Sequence, residues 1–332
     1  MQAEIVVKRL VTIDEAMGYV AKIQDFLNAE KLVFVFSPLE YVKMISVCLF
    51  ARELRQAVKY RKQLGLPTYS RGHDDSKSVP LSYLSFIGFF DFIGLDGIGM
   101  KVRHEAEVTC RNPYLAITRY DYRRFKVWAE YDSFRSEYDF ISEEASKISL
   151  LLTKNACSQN QIVSYALREI MRNAYEHSGS VDFYVMGQTW SNGSAELVIM
   201  DDGCGILKSL AKKYPTLATE KAAIIEAMKP GVSGSDFGHN RYNNSGFGLY
   251  VLSEFSSQHG HMCIASGKTL LTRDKSGVNT SSVWDDGTLV GIHLDEIPDN
   301  AQEEMEHIIR KGDIISQQGE YPIRPSKETW NI

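Results

Sequence analysis

The sequence predicts an α/β protein of two domains. Its 332 residues are enough for two domains of ordinary size. Strand-like and helix-like periodicities alternate along both halves, which favours α/β architecture over separate all-helical or all-strand units. A polar, helix-prone stretch, residues 131–160, separates the halves. The expected layout is therefore an α/β sensor or interaction domain over 1–130, a helical connector over 131–160, a second α/β domain over 161–297, and a C-terminal helix and tail over 298–332.

The elements follow in order. "AEIVVKRL" is strand-like. "TIDEAMGYVAKIQDFLNAE" begins at a capping residue, Thr12 or Asp14, and spaces its apolar residues as a helix does. "KLVFVF" is a short apolar run typical of a buried strand, stopped by Ser37-Pro38. "VKMISVCLFARELRQAVKYRKQ" predicts a long amphipathic helix. "GLPTYSRGHDDSKSVP" is turn-rich, and "LSYLSFIGFF" reads as helix despite its aromatics. "YLAITRYDYRRFKVW" alternates and predicts a pair of strands. The second half predicts a helix over 161–178, a strand over 181–190, a turn at "SNGS" and a strand over 195–201. A glycine motif, a long polar loop (207–245), a second glycine motif, a helix over about 247–258 and further strands complete it.

Composition narrows the function classes. A net charge of −5 gives no global basic field, so nucleic acid is not indicated as a partner. The opening residues carry no secretion signal, and the longest apolar stretch, "VPLSYLSFIGFFDFIGLDGIGM", is broken by Asp91, Asp96 and several glycines. No membrane association is expected. Cys48, Cys110, Cys157, Cys204 and Cys263 are scattered and form no CxxC pair, as expected of free thiols in a cytoplasmic protein. Cys204 reads as a small residue in a tight loop.

Four motifs carry chemistry. In "ALREIMRNAYEHSGS", Glu169, Asn173 and His177 fall four residues apart on one stripe of a helix. An Asn oxygen suits a hard cation such as Mg²⁺, and a nearby carboxylate suits proton acceptance. In "LVIMDDGCGI", an apolar strand ends at Asp201-Asp202, with Gly203 and Gly205 allowing a tight turn and close approach of a flat ligand. In "NNSGFGLYVLSEF", Gly246 and Gly248 stand where loop becomes helix, a natural anion site. In "DDGTLVGIHL", Gly287-Thr288 precedes an alternating strand, and the threonine hydroxyl can join Asp201 in reading a base. Each motif alone is also ordinary: a solvated helix face, a turn with bulge glycines, a helix start, a turn before a strand.

Their order is more specific. E-x-x-x-N on a helix, D-D-G-x-G-I after a strand, S-G-F-G-L opening a helix and G-T before a strand resemble the N box and three glycine boxes of the GHKL superfamily. That group includes gyrase, heat-shock chaperone ATPases, histidine kinases and mismatch-repair MutL. The resemblance covers about residues 150–297 and implies a two-layer α/β sandwich of the Bergerat type that binds ATP and Mg²⁺. It implies Asn173 on Mg²⁺ and Glu169 as general base or water-positioning group. It implies Asp201 on the adenine amine with support from Thr288. Gly203 and Gly205 would shape the base pocket, and Gly246, Gly248 and Leu249 the phosphate end. The loop 207–245 would be a lid, with Lys212, Lys213, Lys221, Lys229, His239 and Arg241 either meeting phosphates or simply solvated.

Within that superfamily, "REIMRNAYEHS" most resembles the N box of anti-sigma-factor serine kinases and of some short sensor kinases. The role of His177 stays open between orienting Glu169, meeting phosphates and closing the helix. Residues 298–332 read as one helix and a tail, too short for the transducer domain of gyrase, MutL or the chaperones. His104 and His73 lie in surroundings unlike a phosphoacceptor helix. In the first half, "LVFVFS", the long helix and "LSYLSFIGFFDFIGL" resemble the STAS domains of anti-anti-sigma factors, although "SPLEYVKMIS" replaces their phosphorylatable D-S-S-G. The expected function is ATP-dependent signalling, with phosphate passing to a regulatory partner protein, such as one encoded nearby, or to water. The alternative is a nucleotide-gated binding module. Signalling ATPases of this type often dimerise, so a homodimer is an expected assembly.

Overall fold

The computed structural model describes residues 2–72, 78–95, 114–131, 135–153, 157–234, 245–283, 287–319, 322–326 and 328–330. Contacts divide the chain into two units, one of Met1–Glu107 with Ala116–Arg119 and Val283–Asp285, the other of Val108–Leu115, Tyr120–Ser282 and Asp286–Ile332. His73, His104, Cys110, His239 and Arg241 lie outside the described residues. No described helix is long and apolar enough to cross a membrane.

In the first unit, alternation along β1 (Gln2–Val6) buries Ala3 and Ile5. After β2 (Arg9–Leu10), α1 (Ile13–Asp25) is capped by Thr12 rather than Asp14. The Thr12 hydroxyl accepts from the Glu15 amide at 3.2 Å, and the Glu15 carboxylate accepts from the Thr12 amide at 3.1 Å. The apolar run of β3 (Lys31–Val35) places Leu32, Val33 and Phe34 out of solvent, as a central strand covered on both faces requires. Then come β4 (Tyr41–Val42), α2 (Met44–Gln63), β5 (Thr68–Arg71), α3 (Val79–Phe86) and α4 (Phe89–Ile93). The sheet runs β1-β3-β5, all parallel, with β2 and β4 forming a second parallel pair. Phe34, Phe36, Phe50, Phe89 and Phe90 interlock beneath it, mostly edge to face.

Arg61 of α2 is wholly buried and ties the loops together. Its guanidinium donates to the carbonyls of Leu27 (2.6 Å), Ala29 (2.8 Å) and Pro67 (2.8 Å) and to the Thr68 hydroxyl (2.9 Å).

An edge strand, β6 (Tyr114–Asp121), has Ala116–Arg119 in the first unit and its ends in the second, and α5 (Tyr122–Tyr131) of the second unit follows it. The strand pair expected from "YLAITRYDYRRFKVW" is thus one strand and one helix. Asp121 explains the change: its carboxylate accepts from the Arg123 amide at 2.9 Å, as a helix-starting residue does, and Tyr122 and Phe125 bury at helical spacing. α6 (Glu137–Thr153) packs along α7 (Cys157–His177), so the residues expected as a connector belong to this unit. The antiparallel pair β7 (Asp182–Thr189) and β8 (Ala195–Asp201) is joined at "SNGS", where the Trp190 amide donates to the Ser194 carbonyl at 2.9 Å.

The expected long loop contains α8 (Gly205–Ala211) and α9 (Glu220–Ala227). Thr219 caps α9 through the Ala222 amide, and Ala223 and Ile224 bury, a short apolar signal inside a polar stretch. The chain continues through α10 (Gly248–His259), β9 (Gly260–Ser266), β10 (Thr269–Asp274), β11 (Gly277–Ser282), β12 (Thr288–Leu294) and α11 (Ala301–Gln317). The seven-stranded sheet runs β11-β10-β9-β12-β8-β7-β6. α7 packs on β7 and β8, α10 on β9, β10 and β12, and the two helices touch, so both cover one face. The chain is mixed α/β, as expected, with two parallel sheets and one largely antiparallel sheet among the described residues.

Replacing Arg61 by Leu leaves several buried acceptors without a donor. Urea denaturation is expected to register a loss of about 3 kcal/mol or more, with Arg61→Lys recovering only part because it lacks the planar fork. An unchanged midpoint in Arg61→Leu would refute the assignment of this hub.

Candidate nucleotide site

The site grows from sheet register. Asp201 at the end of β8 is paired with Thr288 at the start of β12, and Thr288 with Ser266 at the end of β9. Residues opposite one another in a ladder project from the same face, so three polar side chains line up in one row. Two residues inward, Ile199 pairs with Val290 and supplies an apolar floor.

α7 lies across that row. Ile170, Asn173, Ala174 and His177, at helical spacing, line a cavity with Ile199, Asp201, Thr288 and Val290. Gly205, Ile206, Ser209 and Leu210 supply a second wall, and Val232, Ser233 and Gly234 a third. Gly246, Gly248 and Leu249, where α10 begins, close the far end. About 790 Å³ of empty space, open solvent included, lies between these walls. Of the nine residues singled out from the sequence, Asn173, Asp201, Gly205, Gly246, Gly248, Leu249 and Thr288 share this cavity. Glu169 and Gly203 are not among its lining residues.

Gly203 instead donates its amide to Asp201 Oδ1 at 2.8 Å, which orients the carboxylate at the turn. The turn is pinned from behind, where the Cys204 amide donates to the Ser178 carbonyl at 2.8 Å and the Ile206 amide to the Ser266 hydroxyl at 2.7 Å. Cys48, Cys204 and Cys263 form no disulfide among the described residues. Burial raises the Cys204 thiol above its ordinary range, with Lys208 opposing in part, so it is a neutral thiol near pH 7.

Glu169 is buried, with Oε1 3.2 Å from Arg168 Nη2. The Arg168 guanidinium also stands over the Tyr165 ring at 5.1 Å. Gly248 explains the fit of α10 against it: a Cβ there would lie 2.3 Å from Glu169 Oε2, so only glycine lets the helix start this close. Gly246, at φ +69°, adopts a conformation that side chains disfavour, and a Cβ would meet Val232 backbone at 2.3 Å. The carboxylate thus sits beside the positive end of α10.

Among the described residues the cavity is lined by no lysine or arginine. Lys212, Lys213, Lys221 and Lys229 are all off its wall, and Lys229 pairs with Glu226 at 2.7 Å. Ser178 had no role in the sequence reading and is brought in by tertiary contact, whereas Ser209 and the 232–234 wall fall within the segment expected as a lid, 207–245, with no residue there singled out for this wall. Ile199 and Val290 were legible in principle, because each stands two residues from a named polar residue on its own strand.

His177 lines the cavity as a largely buried imidazole. Burial lowers its pKa first, Glu176 at 3.5 Å opposes, and Arg172 reinforces the lowering. The folded chain therefore binds this proton less readily than the unfolded chain. Stability is complete above the ordinary histidine range, near 6.5, and falls as pH drops through it toward the lowered folded value. His177→Gln is expected to shrink the difference between urea midpoints at about pH 7.5 and about pH 5.5. An identical pH response in both proteins would show that His177 contributes nothing to it.

No protein-family model, curated protein or solved structure matches this chain.

Proposed function

We propose that the cavity binds ATP with Mg²⁺, and that the chain is an ATP-dependent signalling protein of the GHKL type. The observation that supports this most is the convergence of Asn173, Asp201, Gly246, Gly248 and Thr288, far apart in sequence, on the wall of one cavity. The chemistry divides along its length. Asp201 accepts a hydrogen bond from the adenine amine, Thr288 assists, and Ile199 and Val290 give the base an apolar floor. The amides at the start of α10 receive phosphate oxygens.

The residues suit Mg²⁺ rather than a tightly caged metal. No described group of three His, Cys, Asp or Glu side chains is placed to hold an ion. Mg²⁺ in nucleotide sites keeps several waters and takes few protein ligands besides substrate phosphates, and the Asn173 side-chain oxygen would be such a ligand. Bound there, the metal would neutralise phosphate charge. Such a site supports passage of the γ-phosphoryl group to a partner protein's side chain or to water. The first unit, with its parallel sheet and aromatic core, is read as the sensor or interaction domain, STAS-like in kind.

One observation favours a second reading. Glu169 is paired with Arg168 and packed against Gly248, and it does not line the cavity. In this arrangement it does not face a reacting phosphate, as suits a nucleotide-gated binding module in which ATP changes partner affinity without turnover.

The two readings part under γ-labelled ATP and Mg²⁺, with and without proteins encoded nearby. Label transfer or phosphate release that is lost in both Glu169→Ala and Asn173→Ala supports the enzyme. Tight ATP binding with neither product, at every partner concentration, supports the module. Asp201→Asn is expected to weaken ATP binding by about tenfold or more by calorimetry. Unchanged affinity would overturn the adenine assignment.

A further inference from the structure

Tyr122, the first residue of α5, is a buried polar group behind the cavity that no motif announces. Its ring stacks on Phe183 at 5.3 Å and meets Tyr175 edge to face at 5.2 Å. Phe183 is the residue directly opposite Asp201 in the β7–β8 ladder. The Tyr122 hydroxyl donates to the Ala174 carbonyl and lies 2.9 Å from the Ser178 hydroxyl. Ala174 and Ser178 both line the cavity.

From Ser178 the connection runs on to the base-reading turn. The Ser178 carbonyl accepts the Cys204 amide, and Gly203 is pressed so closely on Ser178 that a Cβ would lie 2.3 Å from that carbonyl. Gly203 in turn holds Asp201 Oδ1. A chain of buried hydrogen bonds and close contacts thus joins Tyr122 to the Asp201 carboxylate. Burial keeps the Tyr122 phenol well above its ordinary pKa range, so it is a neutral donor throughout the working pH range.

We propose that Tyr122 is a positioning residue for the nucleotide base: through Ala174 and Ser178 it fixes the end of α7 and the 201–205 turn, and so sets base affinity and selectivity. This rests on the ATP reading of the site. None of these contacts involves Gly246–Leu249, at the phosphate end, so the effect should fall chiefly on the base.

The test is calorimetric titration of the full chain and of Tyr122→Phe with Mg²⁺ and ATP, GTP or inorganic tripolyphosphate. Loss of the hydroxyl is expected to weaken ATP about tenfold, to narrow the preference for ATP over GTP, and to leave tripolyphosphate binding unchanged. Ser178→Ala keeps the Tyr122 ring and should move the same quantities the same way, which decides the matter if Tyr122→Phe folds poorly. If the unaltered chain binds ATP and both variants match it in affinity and selectivity, the role of Tyr122 is overturned alone. Equal loss of ATP and tripolyphosphate in both variants would also overturn it, since the effect would then be general. If the unaltered chain binds no ATP, the nucleotide reading fails and this one with it.

Discussion

Register between β8 and β12 is the constraint on which the site depends. Asp201 and Thr288 meet because two antiparallel strands are paired with no offset between those residues. A slip of β8 by one position would turn Asp201 and Ile199 to the face opposite Thr288 and Val290, since side chains alternate with a period of two. The pairing of β12 with β9 adds Ser266 to the same row, and its hydroxyl takes the Ile206 amide as the chain turns into α8. A single row across the sheet therefore both presents the polar end of the cavity and anchors the segment that walls it.

Helix placement answers to a different limit. α10 reaches α7 closely enough for its first residue to lie against a carboxylate, which glycine at 248 permits. The buried ions behind this crossing are paired in sequence along α7: Arg168 with Glu169, and Arg172 with Glu176 at 2.6 Å. Arg172 also stands over the Tyr138 ring of α6 at 4.9 Å. Charges so little exposed need partners, and here the helix carries its own. The polar stripe of this helix is accordingly divided: Asn173 and His177 face the cavity, while Glu169 faces the start of α10.

Much of this was legible in residue order. The strand character of β1, the apolar run of β3, a capping residue before α1 and the "SNGS" turn are local signals, and they decide local structure; that the cap is Thr12, with Glu15, rather than Asp14 is settled by the hydrogen bonds. The cavity residues Asn173, Asp201, Gly246 and Thr288 were legible because each belongs to a short motif with its own physical logic. What escaped was decided by contact across the chain. Tyr122 continues an alternating pattern, yet Asp121 starts a helix beneath it and its hydroxyl finds partners at Ala174 and Ser178. Arg61 reads as one more charge on an amphipathic helix until the carbonyls of Leu27, Ala29 and Pro67 converge on it. The wall at 232–234 has no motif, because what places it is the backbone of Gly246.

The cavity's walls and their backing come from α5, α7, β8, α8, the segment after α9, the start of α10 and the start of β12. The site is therefore indivisible as a fragment. No single cut between Tyr122 and Val290 leaves every wall and its backing on one piece, and the smallest stretch of chain that keeps the site whole runs from the end of β6 through β12. A shorter piece would keep a motif and lose the pocket, and two pieces would recover it only by pairing β8 with β12 again.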